Sequence, residues 1–114
     1  MYSIEEKIII WLTTFEFMSY KKAKFIIDNF DDLSDFAENI NTKKQALLKI
    51  FNDVEINELA NNFNIPAIDR LIDDYNDINI QIVTIKSEAY SNLLKEIDSP
   101  PILLYCKGRQ IYAA

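Results

Sequence analysis

The chain has no histidine, one cysteine, one glycine and three prolines among its 114 residues. Each scarcity closes off some chemistry. Without histidine the commonest general base and metal ligand are gone. One cysteine cannot form an intrachain disulfide, and Cys106, in an apolar run with no histidine to activate it, reads as a buried, inert thiol. That usage fits a reducing compartment, and a cytoplasmic location is expected. No apolar run reaches the roughly 18 residues of a membrane span, and Ile8 to Leu12, preceded by Glu5 and Glu6, is too short for a signal peptide. Positive charge is scarce too: 12 Lys and Arg stand against 18 Asp and Glu, a net charge of −6. Phosphate binding needs clustered Lys and Arg, so a strong nucleic-acid surface is disfavoured. Two carboxylate-rich runs, Asp28, Asp31, Asp32 and Asp35, then Asp69, Asp73, Asp74 and Asp77, lack the turn glycine and closing Glu of a calcium loop. They read as helix caps and solvated faces. No enzyme activity, cofactor or metal is expected.

What is present is helical periodicity, with 49% hydrophobic and 26% charged residues, ordinary for a globular chain. Ser3 and Glu6 form a Ser-x-x-Glu capping box, followed by Ile4, Ile8, Trp11, Leu12 and Phe15 at helical spacing. Ile9 and Ile10 widen that stripe, as expected of a central, mostly buried helix. A second helix starts at Ser19 and carries Ala23, Ile26, Ile27 and Phe30. Asp31 or Asp32 caps a third, with Leu33, Phe36, Ala37 and Ile40. Thr42 with Gln45 reads as another capping box, opening a helix through Leu47, Ile50 and Phe51. Asp53 restarts the chain into Ile56, Leu59, Ala60 and Phe63. Asn64-Ile65-Pro66 re-caps it for Ile68, Leu71, Ile72 and Tyr75. The expected fold class is mainly α, a bundle of about six short helices over 1–79.

Residues 80–114 change character. Ile80 to Ile85 and Ile102 to Cys106 are short apolar runs joined by a connector with room for one short helix, and Pro100-Pro101 ends that connector. Ile102 to Cys106 shows no polar alternation, as expected of a strand covered on both faces. The reading is a two-strand β-α-β stump, with adjacent parallel strands, of an incomplete Rossmann-like domain. The helical part would shield one face through Ile72 and Tyr75, leaving Leu103 or Leu104 and Tyr105 in water. Self-association through residues 80–112 is therefore expected.

The run Tyr90, Leu93 or Leu94, then Ile97-Asp98-Ser99-Pro100-Pro101-Ile102-Leu103-Leu104-Tyr105-Cys106-Lys107-Gly108 resembles the junction of the DNA-processing family DprA (Smf). There the run is roughly Tyr-Pro-x-x-Leu-x-x-Ile-x-Asp-Pro-Pro-x-x-Leu-(Tyr/Phe)-x-x-Gly. Ser91 and Ser99 depart from it. The matching positions, Tyr90, Leu94, Pro100, Pro101, Leu104 and Gly108, would have a structural role, with Tyr90 anchoring the connector. Over residues 4–77 the resemblance, to SAM-like and helix-hairpin-helix modules, rests on helix order and length alone. It implies an N-terminal accessory or protein-interaction domain of a protein that handles single-stranded DNA in natural transformation and loads the recombinase RecA. DNA would be bound only through the Rossmann-like domain, of which this chain would hold the start.

A DNA-binding helix-hairpin-helix needs a Gly-x-Gly turn so that backbone N–H groups can approach a phosphate. Here Phe15-Glu16-Phe17-Met18-Ser19 occupies the turn and no glycine stands in it. Ser19, Lys21, Lys22 and Lys24 are the weak nucleic-acid candidates, and the preferred reading of the lysines is a solvated helix face. Phe15, Phe17 and Met18 read as a core plug. Two other readings stay open: weak nucleic-acid binding by the hairpin itself, and a helical interaction domain of an unrelated family.

Overall fold

Side-chain caps fix where most of the helices begin. Helix α1 (Ile4–Thr13) opens on Ser3, whose Oγ accepts from the Glu6 N–H at 3.2 Å while Glu6 Oε1 accepts from the Ser3 N–H at 3.1 Å. Helix α2 (Tyr20–Asn29) is capped by Ser19 and α3 (Leu33–Glu38) by Asp32. Helix α5 (Asp53–Asn61) starts on an Asn52–Glu55 capping box, and α6 (Ile65–Asp77) on Asn64, with Pro66 in its first turn. A cap of this kind is worth about 1 kcal/mol. Helix α4 (Lys44–Leu47) is the exception, running on from a 3-10 turn over Ile40–Lys43 with no side-chain cap. The Thr42–Gln45 box does not form, because Thr42 lies inside that turn with its N–H and hydroxyl both donating to the Asn39 carbonyl.

The computed structural model describes residues 2–87, 89–90, 101–108 and 110–113. Among them, six α-helices precede a small three-stranded sheet. Helix α1 runs through the middle. Five consecutive residues, Ile8 to Leu12, are buried, which requires neighbours on every side. Those neighbours are α2, α3, α6 and the sheet. The Trp11 indole N–H still finds an acceptor, the Asn62 carbonyl at 3.0 Å. Ile82, Ile102 and Leu103 belong to the same apolar core as the helices, so the bundle and one face of the sheet share a single interior. No helix among the described residues is long and apolar enough to cross a membrane.

The sheet corrects the expected β-α-β stump. Strands β1 (Ile80–Thr84), β2 (Leu103–Lys107) and β3 (Gln110–Ala113) lie in chain order, and both pairs are antiparallel. The reason is local. The Ser87 N–H bonds back to the Thr84 carbonyl, and the Ile85 N–H bonds the Ile102 carbonyl at 2.9 Å. These bonds hold the start of β2 beside the end of β1, so β2 must run the other way. The second reversal follows Gly108 and is closed by the Lys107–Gln110 pair. Gly108 takes φ +60 there, a left-handed angle that glycine adopts without strain. Strand β3 was not expected at all.

The sheet also corrects the expected exposure. Ile82, Leu103 and Tyr105 face the helices, and Tyr105 packs its ring 5.2 Å from that of Tyr75. The opposite face holds a separate small cluster of Val83, Tyr90 and Leu104, with Ile85 and Cys106 against it. Leu104 is only 1% exposed, so the face expected to stand in water is covered from within the chain.

Candidate functional site

The four residues proposed for phosphate contact sit at the start of α2, and most are already engaged. Ser19 Oγ accepts from the Lys22 N–H at 3.2 Å, so its hydroxyl serves the helix cap. Lys22 donates to Glu55 Oε2 at 3.0 Å, and its ammonium lies over the rings of Phe17 and Phe51, at 5.8 and 5.4 Å. The pair ties the hairpin to α5. Glu55 is held below the usual carboxylate range, first by the Asn52 N–H and then by Lys22. Lys24 pairs with Asp28 one turn along the helix at 2.8 Å. Lys21 has no ion pair among the described residues. The turn itself is aromatic packing: Trp11–Phe15, Phe15–Phe17 and Phe17–Phe51 form a continuous edge-to-face and tilted series. Phe15, Phe17 and Met18 lie partly buried against the core.

The junction residues assemble differently. The Tyr90 hydroxyl donates to the Pro101 carbonyl at 2.6 Å, and the Tyr90 ring, 8% exposed, packs with Leu104 and Val83. Burial pushes the Tyr90 phenol above its ordinary value. Tyr90, Pro101 and Leu104 thus form one unit, and Gly108 lies beyond it at the β2–β3 turn. Leu94 and Pro100 lie outside the described residues. Ser19 and Pro101 also line one cavity of about 170 Å³, so the α1–α2 corner and the junction are neighbours. Cys106, half-buried, has its thiol pushed up by burial, which lowers its thiolate fraction.

A third feature was not foreseen. Between α1, α6 and β1 lies an open groove of about 1240 Å³, lined in part by Glu6, Lys7, Asp69, Asp73, Lys86 and Ser87. Glu6, one of its lining residues, is engaged at both carboxylate oxygens. One carboxylate oxygen completes the α1 cap, and the other accepts from Ser87 Oγ at 2.7 Å. Ser87 Oγ in turn accepts from the Thr84 N–H at 2.9 Å, and Tyr2 Oη accepts from the Ile82 N–H at 3.0 Å. Ser3-x-x-Glu6 was legible as a cap, but its partner is 81 positions further along the chain. No periodicity reports such a contact. The acidic runs behave as expected: Asp32 caps α3, while Asp28, Asp35 and Asp69 pair with Lys24, Lys43 and Lys7.

No protein-family model, curated protein or solved structure matches this chain.

Proposed function

We infer that the chain is an N-terminal accessory module of a DprA-like DNA-processing protein, a SAM-like or helix-hairpin-helix-type bundle that contacts a protein partner. The observation that supports this reading is the junction. The tyrosine and the second proline of its sequence pattern meet through one hydrogen bond, with the Leu104 side chain packed beside them. The role would lie in single-stranded DNA handling and RecA loading during natural transformation. Direct DNA contact is not assigned to the bundle, because Lys22 and Lys24 are paired and the net charge is −6. One specific observation favours a second reading, a helical interaction domain of another family: β1 and β2 are antiparallel, where the resemblance implied a parallel start.

Two titrations separate these readings. Anisotropy with labelled oligo-dT near physiological salt should show binding at or weaker than the roughly 10⁻⁴ M end of non-specific affinity. Biolayer interferometry against the RecA recombinase of the same organism should show saturable binding. Saturable binding is the result the first reading expects, and silence toward RecA favours the second. Sub-micromolar, salt-sensitive DNA binding would sink both.

A further inference from the structure

The two edges of the sheet are treated differently. Ile82 and Thr84 direct their N–H groups off the β1 edge, and each meets a hydroxyl of the same molecule, Tyr2 and Ser87 respectively. That edge is closed to strand addition. Strand β3 forms the opposite edge. Backbone polar groups alternate sides along an antiparallel ladder. Since Ile82 and Thr84 point away from β2, their partners Tyr105 and Leu103 point toward β3. Tyr105 then exchanges bonds with Tyr112, which leaves the groups of Ile111 and Ala113 directed outward. Among the described residues no hydroxyl reaches Ile111. The strand Gln110-Ile111-Tyr112-Ala113 carries no charge and no proline, the usual devices that protect an edge. Ile111 and Tyr112 are 44% and 51% exposed.

We propose that β3 pairs antiparallel with β3 of a second copy, about a two-fold axis that passes between the two Tyr112 residues. The register follows from the outward groups. A two-fold normal to the sheet keeps each face continuous, so opposed residues share a face. Centring it on Tyr112 pairs Ile111 with Ala113 of the partner at both ends and satisfies all four outward-facing residues of the two strands. Tyr112 then meets its own copy at a non-hydrogen-bonded position, where Cα atoms approach to about 4.5 Å. The row Tyr75–Tyr105–Tyr112 continues into the partner across the axis. The contact lies at an uncharged strand, so no like charges meet there, although the net charge of −6 on each copy repels at long range. Two four-residue strands bury well under the roughly 1,000 Å² of a stable interface. The dimer is weak and forms more readily as salt screens that repulsion. This inference is independent of the family reading.

Sedimentation velocity on the full chain is the first test. From about 10 to 500 μM, a range suited to a small interface, the mass average should rise from monomer toward dimer, and further at higher salt. Tyr112→Lys should abolish the rise, with far-UV circular dichroism confirming that the variant folds. The register is tested in a Cys106→Ser background, where Tyr112→Cys should form an intermolecular disulfide under mild oxidation and Val54→Cys, on an exposed position of α5, should not. A monomer throughout the range overturns the proposal. So does association that survives Tyr112→Lys, or equal cross-linking of the two cysteine variants, since each would place the contact elsewhere.

Discussion

The Tyr90 hydroxyl and the Pro101 carbonyl are 2.6 Å apart and eleven positions apart in the chain, and their bond ties Tyr90 to the residues that lead into β2. The ring packs with Val83 and Leu104, and the hydroxyl bonds the carbonyl two residues before β2 begins. Without the ring, Val83 and Leu104 would lose the cover that makes their face dry.

Tyr90→Phe keeps the ring and orphans a part-buried carbonyl, so it should cost about 1–2 kcal/mol. Leu104→Ala, which empties part of the same cluster, should cost about 2–5 kcal/mol. Urea unfolding followed by circular dichroism measures both. Equal, near-zero losses would mean the cluster does not support the sheet.

Tyr2→Phe removes the acceptor for the Ile82 N–H at the closed edge. The expected cost is about 1 kcal/mol. Hydrogen exchange is the sharper readout. The Ile82 amide should lose protection, while the Val83 amide, directed into the ladder with Leu104, keeps it. Loss of both amides together would show that the strand, and not its edge, had opened.

Lys22 and Glu55 are 25% and 14% exposed, so their pair is shielded more than most surface pairs. A double-mutant cycle with Lys22→Ala and Glu55→Gln should give a coupling of about 1 kcal/mol. The folded state holds Glu55 below its ordinary value of 4.5. Its contribution is therefore complete above that value and is lost as pH falls through the lower, folded one. Glu55→Gln should flatten the acid limb of the stability curve. An unchanged limb would remove Glu55 from the account of acid unfolding.

The alkaline limb belongs to tyrosine. Burial, then the neighbouring Tyr75, pushes Tyr105 from its ordinary 10 up to about 12, and burial raises Tyr2 as well. A phenol raised by folding adds stability that is complete below pH 10 and lost as pH rises through about 12. Tyrosinate absorbance should show a late-titrating fraction that coincides with unfolding, and Tyr105→Phe should move the limb upward. Ionisation of Tyr105 near pH 10 with the fold intact would refute this.

The sequence by itself determined the helices, because a helix is written in contacts three and four residues apart. Ser3, Ser19, Asp32 and Asn64 announce helix starts, and the apolar positions of α1 and α6 mark the faces they bury. The aromatic plug at Phe15 and Phe17 was legible on the same grounds. Thr42 shows the limit even locally, since the sequence pattern of a capping box does not reveal that a 3-10 turn has already consumed the residue. Only the tertiary structure decided the direction of β2. Two apolar runs separated by a connector are compatible with either sense, and what chose the antiparallel one was the closure of the connector by Ile85 with Ile102 and by Tyr90 with Pro101. The same holds for the sheet edges. Tyr2 meets Ile82, and Glu6 meets Ser87, across some 80 positions of chain, and hydrogen bonds at such separation leave no period in a sequence.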